Sequence, residues 1–226
     1  MEGSRLSFLV LVLALLASSA RGDYFCGNSN ACYMVPSGCA YGDCDFEVVW
    51  SQKANSTLYD FKIAARHDGW VAIGLSMDKE MGSDDVYMCI ASGDGARFEH
   101  RYNSGRSNIA GTGDGVESTE TRKVNGVISC RIEREMSVTN NGMTFDLQDD
   151  MHMFFAKGPL LSDSPTQHTE EPKITIMKVD FEDLPVLGDD DLEEHEHHTG
   201  DGANGQHAGM LLLAAGALLG FTIGRQ

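Results

Sequence analysis

The feature that most restricts the fold of this chain is a series of short apolar segments separated by turn-forming residues. Several segments alternate apolar and polar side chains, as half-buried strands do. Clusters of Gly, Asn, Asp and Ser lie between them, as turns require. Apart from an ambiguous region around Met136, no convincing amphipathic helix is found. The spacing predicts an all-β fold, an antiparallel β-sandwich. The predicted strands are 46–50, 57–65, 69–75, 86–90, 97–102, 127–132, 152–156 and 173–179.

The N-terminus has the pattern of a secretory signal peptide. Arg5 precedes an apolar run over residues 6–16, and small residues follow as far as Gly22. Such a pattern predicts a signal peptide at 1–22 and a mature protein that begins at Asp23. The apolar run, of about 11 residues, is too short to span a bilayer, which needs about 20. A signal anchor is therefore the less favoured alternative, and the chain is predicted to be secreted.

The C-terminus carries a second apolar segment within residues 208–226. Small residues and a short polar stretch precede it, as in a GPI attachment signal. The candidate attachment residues are Gly200, Asp201 and Ala203. The alternative is a single-pass helix with almost no cytoplasmic end. Either anchor predicts a protein held at the extracellular face of the plasma membrane.

The formal net charge of −17 restricts the partners of this chain. Nucleic acid and anionic membrane surfaces repel acid-rich proteins, so neither is expected as a partner. Part of the charge lies in residues 186–207, where the run 189–196 predicts a solvated, disordered stalk. The stalk also contains His195, His197 and His198, and such imidazole clusters bind Cu²⁺ or Zn²⁺. Metal capture by the stalk is a minor alternative.

Six cysteines in a secreted chain predict disulfides. Four of them, Cys26, Cys32, Cys39 and Cys44, fall within the N-terminal segment 23–45 and suggest a knot closed on itself. Cys89 and Cys130 lie in strand-like segments and are expected to join one strand to another. Because six cysteines allow 15 pairings, this partition is an inference. Zinc binding is a weaker alternative, since the spacings match no zinc pattern.

The two predicted terminal signals leave about 180 residues, enough for one domain with a sizeable core. We place the β-sandwich at 46–185, between the cysteine-rich segment and the stalk. Asn55 begins the Asn-Ser-Thr acceptor sequence for N-glycosylation. It lies in a predicted turn between two strands, where a glycan would project into water.

The usual motifs of hydrolases and of nucleotide-binding enzymes are absent from the sequence. Asp84 and Asp85 are adjacent, but neighbouring residues on a strand point to opposite faces, so they make a poor catalytic dyad. Two loop residues, Met81 and His168, have chemistry of another kind. A thioether and an imidazole together form an axial ligand set of electron-transfer haems. No self-contained catalytic site is predicted.

Three stretches resemble the DOMON domain: residues 69–76, residues 81–87, and residues 155–159 followed by His168 and Pro172. The cysteine-rich start resembles the extracellular part of ferric-chelate reductase 1-like proteins of animals. The resemblance covers roughly residues 24–184, and the segment that begins at Met81 is its most specific part. It implies an immunoglobulin-like β-sandwich, in agreement with the strand pattern.

In haem-binding members of this family a methionine and a histidine clamp haem b. Examples are the cytochrome domain of cellobiose dehydrogenase and a GPI-anchored plant cytochrome b. The matching positions are Met81 and His168, so the resemblance implies a haem b electron-transfer module with a redox or membrane protein as partner. The residues expected to line its apolar pocket are Trp70, Ile73, Met88 and Phe155.

The chain departs from the ferric-chelate reductases because only a short tail follows the domain, in place of a block of membrane helices. Electron transfer across a membrane by this chain alone is therefore not expected. Some members of the family are thought to lack haem and to bind membrane proteins. The alternative function is a haem-free interaction or extracellular-matrix protein whose acidic surface suits Ca²⁺ or basic partners.

Overall fold

The computed structural model describes residues 26–27, 29–40, 42–169, 173–183, 185–187 and 189–194. The predicted signal peptide, C-terminal tail, attachment residues and stalk histidines lie outside these ranges. Within them the chain forms one 3₁₀ helix, Asp189–Asp191, and the following strands: β1 Ala31–Val35, β2 Phe46–Gln52, β3 Leu58–Arg66, β4 Trp70–Ser76, β5 Asp84–Ser92, β6 Gly95–Ser104, β7 Ser107–Ala110, β8 Val116–Val124, β9 Val127–Glu135, β10 Ser137–Asn140, β11 Met143–Asp146, β12 His152–Gly158, β13 Leu160–Leu161, β14 Ser164–Pro165, β15 Lys173–Thr175, β16 Val186–Leu187 and β17 Leu192–Glu194.

Two large sheets form a sandwich. The six-stranded sheet has the order β16-β1-β2-β3-β9-β8, and the seven-stranded sheet has the order β17-β15-β12-β4-β5-β6-β7. Strand pairing is antiparallel in both sheets apart from the parallel pair β1–β16. The main hydrophobic core lies between the sheets and includes Phe61, Ile63 and Tyr87. The predicted antiparallel β-sandwich is confirmed.

Strand β4 lies at the centre of the seven-stranded sheet, between β12 and β5. All of its residues are buried. Val71, Ile73 and Leu75 pack into the core between the sheets. Trp70 and Ala72, at the alternate positions, belong to a separate apolar cluster on the outer side. Because both faces of this strand are covered, its sequence is an unbroken apolar run rather than an alternating one.

Three disulfides confirm the predicted partition of the cysteines. Cys26 pairs with Cys32, and Cys39 pairs with Cys44. Cys89 in β5 pairs with Cys130 in β9 and so joins the two sheets. The cysteines of the N-terminal segment pack with Met34 and Val49 in a small cluster separate from the main core.

Near the C-terminus the structure differs from the sequence prediction. The predicted strand 173–179 ends at Thr175. Val186–Leu187 pairs with β1, and Leu192–Glu194 pairs with β15. The prediction of disorder over the charge run 189–196 is therefore wrong for Leu192–Glu194, because backbone pairing at the sheet edge holds this segment despite its charge. Among the described residues, no helix has the length and apolar character needed to cross a membrane.

Candidate functional site

The outer side of the seven-stranded sheet carries an apolar surface that we call the outer apolar face. It is formed by Trp70, Ala72, Val86, Met88 and Ile90, with Ala156 and Leu160 packed against them. Strand register places Ala72 between Ala156 and Met88. This apolar cluster lies on the side of the sheet that faces away from the core. It is unusual because the outer side of a sandwich sheet commonly faces water. It is therefore the candidate site for a ligand with a large apolar area.

The middle of the outer apolar face is built from small residues. Ala72 and Gly74 follow each other on the outer side of β4, and Ala156 lies beside Ala72 on β12. A methyl group at position 74 would lie 3.5 Å from Cβ of Phe154 and 3.8 Å from Cγ2 of Val86. Glycine thus leaves a space of methyl size between two larger side chains. Such a shallow strip suits a flat apolar group better than a bulky one.

The predicted ligand Met81 lies in the loop that joins β4 to β5, and its side chain is half-buried. The loop begins where β4 ends at Ser76. The backbone N–H of Gly82 donates to Oδ2 of Asp84 at 2.9 Å, and that of Ser83 donates to the carbonyl oxygen of Asn103 at 2.6 Å. These bonds fix the part of the loop that follows Met81.

The predicted ligand His168 follows the β13–β14 hairpin and is also half-buried. The hairpin is tied at two points. Nε1 of Trp70 donates to the carbonyl oxygen of Thr166 at 3.0 Å, and Nη2 of Arg97 donates to that of Asp163 at 3.0 Å. Because Arg97 lies on β6, the hairpin crosses the sheet from β12 to β6. It covers the end of the outer apolar face where Trp70 begins β4.

The loop of Met81 and the segment of His168 therefore approach the same sheet from opposite ends of β4. Further along the chain, Lys173 pairs with Phe155 in the middle of the sheet. The assignment of Met81 and His168 as ligands stays a prediction. Within the ranges that the structure describes, no group of three or more His, Cys, Asp or Glu residues could hold a metal ion.

The four residues expected to line the pocket divide between the two faces of the sheet. Trp70 and Met88 lie on the outer apolar face. Ile73 and Phe155 instead pack in the core between the sheets, so they cannot line a site on the outer apolar face. The physical reason is strand alternation: Ile73 is three positions from Trp70 and must point to the other side.

Glycines place the Trp70 ring against the backbone at this end of the face. A methyl group at position 158 would lie 2.6 Å from Cζ2 of Trp70. One at position 69 would lie 2.0 Å from the carbonyl oxygen of Gly158. The pairs Gly69-Trp70 and Gly158-Pro159 thus have a packing role, since only glycine permits these approaches.

On the inner side of the seven-stranded sheet lies a buried ionic network that no sequence pattern predicted. Asp85 accepts hydrogen bonds from the Tyr87 hydroxyl at 2.6 Å and from Nδ2 of Asn140 at 2.8 Å. Nε2 of His100 lies 2.6 Å from the same carboxylate. The guanidinium of Arg134, fully buried, donates to Tyr87 and to the carbonyl oxygen of Phe145. The network joins β5, β6 and β9 to the β10–β11 hairpin.

Electrostatics in this network favour the ionised carboxylate. Burial raises the pKa of Asp85, but the hydrogen bond and charge of His100, together with the charge of Arg134, outweigh it and hold that pKa below its usual value. Burial also raises the pKa of Tyr87 well above its usual value, so this hydroxyl stays protonated and donates a hydrogen bond to Asp85. The network is internally satisfied, and its role is structural.

A second buried acid lies on the outer side of the six-stranded sheet. Oε1 of Glu47 is 3.9 Å from Nζ of Lys62, and the Gly42 N–H donates to Oε2 at 3.2 Å. Burial raises the pKa of Glu47 to about 7, and burial lowers the pKa of Lys62 to about 8. The pair of Glu47 and Lys62 lies beside the loop closed by Cys39–Cys44. It belongs to the other sheet from Met81 and His168, and no sequence pattern predicts it.

Comparison with known families decides the classification. The model of the DOMON domain matches residues 42–158. The chain belongs to the DOMON domain family. The match includes Met81 and the outer apolar face of this DOMON domain but ends before His168.

Similar proteins include the human DOMON domain-containing protein FRRS1L, 32% identical over 145 residues, which are 63% of this chain and 49% of that protein. Mouse ferric-chelate reductase 1 is 29% identical over 161 residues, 71% of this chain and 27% of that protein. This DOMON chain thus spans about half or less of the length of these relatives. The cytochrome domain of Myriococcum thermophilum cellobiose dehydrogenase matches with a TM-score of 0.45 and 10% identity, over 57% of this chain and 72% of that one.

Proposed function

We propose that this DOMON protein is an extracellular haem b-binding electron-transfer module in which Met81 and His168 supply the two axial ligands. One observation carries the proposal: an apolar face, separate from the core, is approached from its two ends by the loop of Met81 and the segment of His168. When bound, haem would supply one-electron exchange at its iron.

The residues present fit this group in two respects. A thioether and an imidazole are an axial pair of electron-transfer haems, and thioether ligation raises the reduction potential. The strip formed by Ala72, Gly74 and Ala156 is flat and apolar, and a porphyrin would reach it only by displacing the elements that cover the outer apolar face. With both axial positions filled, no open site for O₂ would be left, which favours electron transfer over oxygen chemistry.

In this proposal the protein's own residues position the ligands and exclude water. Trp70 holds the segment that leads to His168 through its bond to Thr166. Met88 and Ile90 supply apolar floor and are buried. A dry surrounding of this kind tunes the reduction potential of the bound group.

The test is a visible spectrum of the full chain, expressed with haem supplied and then reduced. We expect the sharp α band of a b-type cytochrome. Met81→Leu and His168→Ala should each alter that band. The matched controls are Met77→Leu, in the same loop, and Gln167→Ala, beside the histidine; both should leave it unchanged. A colourless protein would overturn the proposal, and unaltered spectra in the first two variants would overturn the ligand assignment.

The proposed location is the extracellular face of the plasma membrane, with a redox or membrane protein as partner. Three disulfides suit an oxidising compartment. Asn55 is exposed in the turn between β2 and β3, where a glycan is sterically free. Glycosidase treatment of protein from secreting cells should increase its gel mobility, and Asn55→Gln should abolish that shift. Release from the cell surface by phosphatidylinositol-specific phospholipase C would distinguish a GPI anchor from a spanning helix.

A second candidate function, a haem-free interaction protein, is favoured by one observation. Val86 and Met88 are each 4% exposed and Ile90 is fully buried, so the chain's own elements already cover the outer apolar face. In this reading the acidic surface binds a basic partner or Ca²⁺. The spectrum decides between the two functions, since a haem-free protein stays colourless when haem is supplied.

A further inference from the structure

Asp84 is a fully buried carboxylate at the start of β5, on the outer side of the seven-stranded sheet. Its Oδ2 accepts the backbone N–H of Gly82 at 2.9 Å and the Nδ2–H of Asn103 at 2.9 Å. Burial raises the pKa of Asp84, and the hydrogen bond from Asn103 opposes this. An acid buried in this way destabilises a protein unless hydrogen bonds compensate. Here the compensating bonds hold the loop that contains Met81.

Asn103 on β6 extends this anchor. Its carbonyl oxygen accepts the Ser83 N–H at 2.6 Å, while its side-chain amide donates to Asp84. Oδ1 of Asn103 accepts a hydrogen bond from Nδ2 of Asn108 at 2.8 Å. Nη2 of Arg101 donates in turn to the carbonyl oxygen of Asn108 at 2.8 Å. The two residues that follow Met81 are therefore bonded to a chain of side chains that reaches the edge strand β7.

The backbone after Met81 has a conformation that few residues adopt. Gly82 has a φ of 137° and Ser83 a φ of 65°. A methyl group at position 82 would lie 3.0 Å from Cα of Gly105. A non-glycine residue at positive φ persists only where surrounding contacts hold it. The bonds to Asp84 and Asn103 are those contacts.

We infer that Asp84 is a positioning residue that fixes the Met81 side chain over the outer apolar face by clamping the turn formed by Gly82 and Ser83. The inference deepens the proposed function and rests on it for the role of the thioether. The placement of the Met81 side chain, however, can be measured without haem.

The first experiment uses the full chain without haem, labelled with ¹³C at the methionine methyl groups. Loss of one signal in Met81→Ala assigns the Met81 resonance. Both N–H bonds go to Oδ2, so Asp84→Asn can keep them through its own amide oxygen. The informative variant is therefore Asp84→Ala, which removes the acceptor of both bonds. We expect the Met81 signal to shift or broaden in this variant and to stay unchanged in Glu80→Gln. Glu80 is an exposed acid adjacent to Met81, so this control removes the same charge.

The second experiment uses the haem-loaded protein. We expect Asp84→Ala to lose the weak red absorption band of thioether-ligated ferric haem and to have a lower reduction potential, since thioether ligation raises it. Glu80→Gln should retain both. If Asp84→Ala does not fold, Asn103→Ala removes the side-chain bond to Asp84 and should also shift or broaden the Met81 signal.

An unchanged Met81 signal in a folded Asp84→Ala protein would overturn the positioning role, even if its thermal stability fell. The failure of the proposed function is distinguishable from this result. A wild-type protein that takes up no haem refutes the proposed function, and the methyl spectra of the haem-free protein still decide whether Asp84 holds Met81.

Discussion

Asp84 and Asp85 are consecutive in the chain, yet their carboxylates lie on opposite faces of the seven-stranded sheet. Asp84 binds the loop of Met81 on the outer side, through Gly82. Asp85 binds Tyr87 and His100 on the inner side. Strand alternation allows one pair of neighbouring acids to hold two unrelated parts of the molecule. The two positions should therefore respond differently to substitution.

Asp85→Asn should lower the free energy of unfolding by about 3–5 kcal/mol, because it leaves the buried charge of Arg134 uncompensated. Urea denaturation measures this value. The control, Asp114→Asn, removes an exposed acid and should change stability by less than about 0.5 kcal/mol. An Asp85→Asn protein as stable as the wild type would show that the network contributes little to the fold.

Glu47 should make stability depend on pH between about 4.5 and 7. Its folded-state pKa of about 7 lies above the ordinary value of 4.5, so the folded state holds the proton more tightly than the unfolded chain. This contribution is fully present below about pH 4.5 and is lost as the pH rises to about 7. With screening by solvent, we expect a change of about 1–2 kcal/mol.

Thermal unfolding across this pH range tests the effect. Glu47→Gln should flatten the pH profile, whereas Glu117→Gln, an exposed acid on β8, should leave its shape unchanged. If the wild-type profile already lacks this slope, Glu47 does not have a raised pKa.

Gly158→Ala should lower the free energy of unfolding by about 1–3 kcal/mol, since the new methyl group would overlap the Trp70 ring. The ring must move, which breaks its bond to Thr166 and loosens the hairpin. Tryptophan fluorescence should shift to longer wavelength as Trp70 meets water. Gly74→Ala is the matched control, because its methyl group would make only ordinary contacts. Equal effects of the two variants would contradict the proposed packing.

The three disulfides should contribute unequally to stability. Cys89–Cys130 closes a sequence separation of 41 residues and Cys39–Cys44 one of 5. Loop-closure entropy predicts about 4 kcal/mol for the first and about 2 kcal/mol for the second. Paired alanine variants, compared by denaturation without reductant, measure the difference. A larger loss from the short loop would indicate that contacts of the N-terminal segment outweigh chain entropy.

The sequence predicted the central strands well because their apolar content is high and their turns are rich in Gly and Asn. It missed β8, Val116–Val124, because this edge strand carries mainly polar and charged residues. It also missed β1, which lies within the cysteine-rich segment. An edge strand such as β8 is stabilised by one neighbour and needs little apolar surface, so composition does not reveal it.

The candidate site was predictable only in part. The ligand candidates came from the chemistry of two loop residues and from a family resemblance. The face on which pocket residues lie follows from alternation, which places Trp70 and Met88 outside but Ile73 and Phe155 inside. The contact between Arg97 and Asp163, which ties the hairpin across the sheet, joins residues 66 positions apart. No local pattern encodes such a contact.

Chain segments cover the outer sides of the two sheets, and different kinds of bond hold these segments in place. Two disulfides close the N-terminal segment beside β1 and β2, whereas the β13–β14 hairpin is tied to its sheet by hydrogen bonds of Trp70 and Arg97. Hydrogen bonds open and reform without any change in redox conditions. Local opening of the native protein should therefore occur mainly at the β13–β14 hairpin. Such opening would give molecules in solution reversible access to Met88 and Ile90.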